Sequence, residues 1–92
     1  MSVRPYATLE FTETFLASFA GRDFTAAERT LFMKAMRLLD QDPRHPSLRV
    51  HQLRGDRAGS WSASASLELR MTFETLPDGR HRMLTCSRHY DR

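Results

Sequence analysis

The sequence predicts an α+β domain: two N-terminal helices packed on one face of a small, mostly antiparallel twisted sheet, in the order β-α-α-β-β-β-β. Three observations carry that expectation. Thr25-Ala-Ala-Glu28 has the spacing of a capping box and opens a run with helical period. From Leu48 onward the apolar period falls from about 3.6 to about 2. Pro77-Asp78-Gly79 then separates two alternating runs, as a hairpin turn does.

Each element follows in order. Arg4 to Phe11 carries strand-forming residues and supplies a first short strand. Thr12 to Ala20 reads as a short helix with Thr12 as cap, Phe15, Leu16 and Phe19 on one face, and Gly21 closing it. The second helix starts at the capping box and presents Ala27, Leu31, Ala35, Leu38 and Leu39, with Phe32 and Met36 widening the stripe. Pro43 disfavours helical geometry at Asp42, so this helix should end near Asp40. Asp42-Pro43-Arg44-His45-Pro46 is the passage from helices to sheet. Val50 to Leu53 reads as a strand, Gly55 to Gly59 as a turn, and Ser60 to Ser66 as a strand of small alternating residues. Leu69, Met71 and Phe73 alternate with Arg70, Thr72 and Glu74, and Arg80 to Arg88 returns as the last strand.

Composition narrows the function classes. The chain has 92 residues, which places residues 1–92 in one expected domain. Its apolar fraction is 40% and its charged fraction 27%, ordinary for a folded soluble domain. No apolar run is long enough to span a bilayer, and the N-terminus leads into no signal-like segment. Cys86 is the only cysteine, so no internal disulfide is expected and a reducing, cytoplasmic setting fits. Net charge is +3, yet thirteen of the fourteen basic residues are arginine. Residues 1–42 hold five basic and six acidic side chains, residues 43–92 nine and five. The positive field therefore belongs to the C-terminal half. Arginine's planar fork suits phosphate, although a high-GC genome gives the same excess.

Among single residues, His89 brings an imidazole that exchanges protons near neutrality, and adjacent Tyr90 can stack on a base or donate its hydroxyl. Arg70 should project from the sheet face opposite the helices, where it can hold a phosphate by two N–H groups or pair with Glu68 or Glu74. His51 lies between Arg49 and Arg54 and reads either as a base or as a half-buried histidine. His45 and His81 have no case beyond proximity. Trp61 is most simply a core anchor. No His-x-x-x-His or Cys-x-x-Cys spacing supports a metal, and neither a phosphate-cradling glycine loop nor a nucleophile elbow is present.

Taken together, His45-Pro-Ser-Leu-Arg-Val-His51-Gln-Leu-Arg-Gly55, Gly59-Ser-Trp61-Ser62, Leu69-Arg70-Met-Thr-Phe73 and Cys86-Ser-Arg88-His89-Tyr90 resemble the RelE/ParE superfamily of toxins. The RelE, YoeB and HigB mRNA interferases look most similar. The resemblance implies the toxin of a type II toxin–antitoxin pair that cuts mRNA in the ribosomal A site. There the ribose 2′-OH attacks the adjacent phosphate, leaving a 2′,3′-cyclic phosphate and a 5′-OH without metal or other cofactor. It implies a cognate antitoxin, the ribosome and mRNA as partners, and no membrane. It leaves open a higher-order toxin–antitoxin complex on operator DNA. Arg70 matches the phosphate-binding arginine, His89 the terminal histidine that acts as acid or base, and Tyr90 the aromatic beside it.

Two departures stand out. YoeB-type members carry a glutamate as base where this chain has Ser47, and RelE uses lysines near the positions of His51 and Arg54. His51 is then the expected base, with Arg49, Arg54, Arg57 and Arg88 as RNA-binding cations. The alternative is a toxin without nuclease activity, either gyrase-directed or a degenerate protein that only binds its antitoxin.

Overall fold

A computed structural model describes residues 6–55 and 59–88. Its elements are β1 (Leu9–Phe11), α1 (Glu13–Ala20), α2 (Ala26–Gln41), a 3-10 turn (Pro46–Leu48), β2 (His51–Gln52), β3 (Trp61–Ser64), β4 (Leu69–Thr75) and β5 (His81–Arg88). The five strands form one sheet in the order β1-β5-β4-β3-β2. β1 runs parallel to β5, and every other pair is antiparallel. This is the expected α+β arrangement.

Local chemistry explains the helix ends. The Thr12 hydroxyl accepts the Phe15 amide at 3.0 Å and donates to the Met83 carbonyl at 2.8 Å, so one side chain caps α1 and ties it to β5. Ser18 adds a second tie by accepting the Cys86 amide at 3.0 Å. Thr25 and Glu28 complete both halves of the capping box on α2, at 3.1 and 3.0 Å. α2 runs to Gln41, one residue past the expected end, and Asp42 N–H still reaches the Leu38 carbonyl at 2.7 Å. Gly21 ends α1 in extended geometry rather than in a left-handed cap, and a Cβ there would come within 3.2 Å of the Ala17 carbonyl.

The core lies between the helices and one sheet face. Phe15, Phe32, Leu39, Leu48, Leu69, Met71 and Met83 are fully enclosed, each contributing about 1.5–3 kcal/mol of burial. Phe24 meets Phe32 edge-on at 4.8 Å. The buried stripe of α2 is Phe32, Ala35, Met36 and Leu39, which corrects the expected one. Leu31 is 40% exposed, Ala27 is exposed, and on α1 Leu16 is 52% exposed. A helix turns by about 100° per residue, so once Phe32 takes the centre of the face, Leu31 rotates off it. β2 is also shorter than expected: Arg49 just ahead of it is left-handed, with φ of 47°, and past its far end, among the described residues, only the Leu53 amide still reaches across, to the Ser60 carbonyl at 2.8 Å.

Candidate functional site: an arginine and serine pocket on the open sheet face

Residues paired in register across antiparallel strands project to the same side of a sheet. Ala63, Met71 and Cys86 form one such row and face the helices, as do Phe73 and Met83. The intervening residues therefore face away. One row across the open face is His51, Ser62, Thr72 and Thr85, and the next is Ser64, Arg70 and Ser87. The expected orientation of Arg70 follows directly from its register.

Small side chains make room beside that arginine. Ser62, Ser64 and Thr72 are buried despite facing away from the helices, and the Thr72 and Thr85 hydroxyls bond at 2.6 Å. Beside them lies an open cavity of about 290 Å³, lined among others by Ser47, Arg49, Ser64, Ser66 and Arg70. Arg70 is held rather than loose. Its Nη1 donates to the carbonyls of Ser66 and Leu69 at the β3–β4 turn. That leaves Nε and Nη2 without partners among the described residues. An oriented guanidinium with two donors to spare matches the fork geometry of a phosphate or carboxylate.

Arg49 reaches the same cavity from the opposite strand edge. It is the C-cap of the 3-10 turn and the one described non-glycine residue with positive φ. Such a conformation costs roughly 1–3 kcal/mol outside glycine. The bend ends the 3-10 turn and brings the arginine to the cavity. No carboxylate lies within ion-pair distance of Arg49 or Arg70 among the described residues.

His51 is exposed on the same face, and its Nδ1 donates to the Arg49 carbonyl at 3.0 Å, which leaves Nε2 as the lone-pair nitrogen. It stands two strands from Arg70, ~10 Å across the sheet, and does not line the cavity. Arg54 is exposed beyond β2. Arg88 lies on the helix side instead. It binds Glu28 at 2.6 and 3.0 Å and the Asp23 carbonyl at 2.8 Å, and it sits 5.6 Å from the Phe24 ring centre. Hydrogen bonds from the Arg88 guanidinium hold the Glu28 carboxyl down at about 2. The structure thus brings Arg49 and Arg70 together, sets His51 nearby, and places Arg88 apart. His89, Tyr90 and Arg57 fall outside the described residues.

A pair that sequence reasoning passed over sits at the rim. The Ser47 hydroxyl lies 2.8 Å from His45 Nδ1, and the Ser47 amide donates to the same nitrogen at 3.2 Å. The sequence signals are a His-x-Ser spacing inside a proline-bounded connector and the place of Ser47 at the position of the YoeB-type glutamate. Cys86 is no nucleophile, since burial pushes its thiol up to about 12. Among the described residues, no cluster of three or more His, Cys, Asp or Glu side chains is placed to hold a metal ion, and no helix is long and apolar enough to cross a membrane.

Comparison with solved structures places this fold. The chain is similar to the YoeB/ParE toxin from Agrobacterium tumefaciens, with 22% identity over 90% of this chain and 99% of that one, at a TM-score of 0.71. It is similar to the toxin–antitoxin complex RelBE2 from Mycobacterium tuberculosis, at 20% identity, 94% and 100% coverage and a TM-score of 0.71. YafQ from E. coli aligns at 18% identity over 88% of this chain and 91% of its own, with a TM-score of 0.63. No family model and no curated protein sequence matches the chain. At these identities the likeness establishes the fold: it is that of the RelE, ParE, YoeB and YafQ toxins.

Proposed function

We propose that this protein is the toxin of a type II toxin–antitoxin pair and cuts messenger RNA in the ribosomal A site. The observation that carries the reading is the meeting of Arg49 and Arg70 at a serine-lined cavity on the sheet face turned away from the helices. A phosphodiester seated there meets two cations and several hydroxyls. As the ribose 2′-oxygen attacks, charge builds on the non-bridging oxygens, and the spare Nε and Nη2 donors of Arg70 stabilise it. Its anchored Nη1 keeps the guanidinium from reorienting during the step. In this reading His89 protonates the departing 5′-oxygen and Tyr90 stacks on the neighbouring base.

The remaining cations divide by place. Arg54 and exposed His51 guide the RNA strand along the open face, and Arg57 adds a further RNA-binding cation. Arg88 belongs to the fold, where Glu28 holds it. The ribosome supplies most of the placement of the message, so little affinity for free RNA is required. The antitoxin partner is supported by the RelBE2 structure and the heterotetrameric YoeB–YefM structure, both complexes of toxin and antitoxin. An acidic antitoxin segment laid over Arg49 and Arg70 would occupy the positions of the RNA phosphates.

The test is primer extension on a defined message in stalled ribosomes, with the product ends analysed. Cuts within the A-site codon that end in 2′,3′-cyclic phosphate and 5′-OH are expected. Folded wild-type protein that leaves the message intact would contradict the nuclease and direct attention to a toxin without nuclease activity.

A further inference from the structure

We infer that His45 and Ser47 form a proton relay that serves as the general base of this site, an inference that rests on the nuclease reading above. A backbone N–H can only donate, so the 3.2 Å bond from the Ser47 amide makes His45 Nδ1 the lone-pair nitrogen. The neutral ring then carries its proton on Nε2. The Ser47 hydroxyl, 2.8 Å from the same Nδ1, has its proton aimed at that lone pair. Its oxygen lone pairs stay available to a second donor.

Position gives the pair its purpose. Ser47 lines the cavity that holds Arg49 and Arg70. His45 lines a separate open cavity with Arg44 and Arg49, which connects the imidazole to solvent. The relay thus passes from the phosphate-binding side to the solvent side through one hydroxyl. The turn that carries it is well held. The His45 amide donates to the Asp42 carbonyl at 3.0 Å, the Leu48 amide to the His45 carbonyl at 3.1 Å, and Leu48 is fully buried. Pro46 fixes the backbone between the two residues. The charged side chains around the pair are Arg44 and Arg49 beside His45, Arg49 and Arg70 across the cavity from Ser47, and Lys34 of α2 in the groove behind it. No described carboxylate lines either cavity, and His45 is the one histidine among the described residues that line them.

The step balances. The 2′-OH proton passes to Ser47 Oγ while the Ser47 proton passes to His45 Nδ1. The 2′-O–P bond forms, the P–O5′ bond breaks, and the leaving oxygen takes a proton from the acid. The His45 imidazolium then releases its proton to solvent. Ser47 is the catalytic residue here, and His45 positions and discharges it.

The decisive comparison is single-turnover A-site cleavage across pH by wild type, Ser47→Ala, His45→Ala, His45→Asn and Arg70→Ala. Loss of a general base costs roughly 10²-fold or more, and that loss is expected for both alanine variants at Ser47 and His45. In His45→Asn the side-chain carbonyl still accepts from the Ser47 amide but takes no proton. That variant should therefore melt like wild type, cut as slowly as His45→Ala, and lose the acid limb of the pH–rate profile. Added imidazole should partly restore His45→Ala. If wild type cuts and Arg70→Ala does not, while His45→Asn keeps the wild-type rate and profile, the relay is overturned and the nuclease stands. If folded wild type makes no cut, both are overturned.

Discussion

The open face of the sheet has two arginine-bearing ends, and they differ in what the arginines meet. At the β1 end, Glu10, Arg82 and Glu74 lie in one register row. Arg82 reaches Glu10 at 3.0 Å and Glu74 at 2.8 Å, while Arg80 reaches Asp78 at 2.9 Å and Glu10 at 3.3 Å. Two arginines there share three carboxylates, and the hydrogen bonds Arg82 donates to Glu10 and Glu74 raise its pKa further. At the other end, Arg49 and Arg70 line one cavity with serines, and Arg70 bonds two backbone carbonyls. The first end is a charge network closed on itself. The second is an anchored Arg70 beside Arg49, neither with a carboxylate partner among the described residues. Arginine count alone hides this distinction; the register of neighbouring acids reveals it.

The sharpest way to break the comparison is to remove one arginine from each end. Arg70→Ala should lower A-site cleavage by roughly 10²–10³-fold, the range for losing a preorganised charge-stabilising donor, with melting little changed. Arg82→Ala should leave cleavage within about twofold of wild type, because partly exposed ion pairs serve the fold and only weakly. Arg49→Gly comes next in size. Glycine keeps the left-handed backbone at φ 47°, so a loss of roughly tenfold there reports the guanidinium alone.

Acid should then expose the groups that belong to the fold. Burial lowers the His81 pKa below the ordinary 6.5, partly opposed by the nearby Asp40 carboxylate. The unfolded chain therefore takes up this proton first, so stability falls as pH drops below about 6.5. Glu28 is held at about 2 against an ordinary 4.5, so its contribution is present above pH 4.5 and fades between 4.5 and 2. Melting temperature followed from pH 8 to about pH 2 should fall in two stages. His81→Gln should remove the first and Glu28→Gln should weaken the second. The smallest effect expected is that of Thr25→Ala, which removes half the capping box at about 1 kcal/mol and leaves cleavage alone, as a denaturant titration and the cleavage assay would record together.

Legibility in the sequence followed the range of the interactions. The Thr25–Glu28 box, the Pro77-Asp78-Gly79 turn and the alternation of Arg70 with Leu69 and Met71 are local, and the structure has each of them where expected. The orientation of α2 was legible only coarsely, since both Leu31 and Phe32 fit an apolar stripe and packing alone chose between them. The partner of Arg88 was hidden because Glu28 lies sixty residues away. Nor does composition forecast a left-handed Arg49, which follows from how the 3-10 turn joins β2. His45 and Ser47 were close together in plain view, yet only the geometry of that turn aims the hydroxyl at Nδ1.

The central claim is that the uncompensated end of the open face holds the scissile phosphate. It is tested most directly by mapping cleavage ends on one stalled message with wild type, Arg70→Ala and Arg82→Ala side by side. The account predicts A-site cuts with wild type and Arg82→Ala and their loss with Arg70→Ala. Equal cutting by all three folded proteins would contradict it.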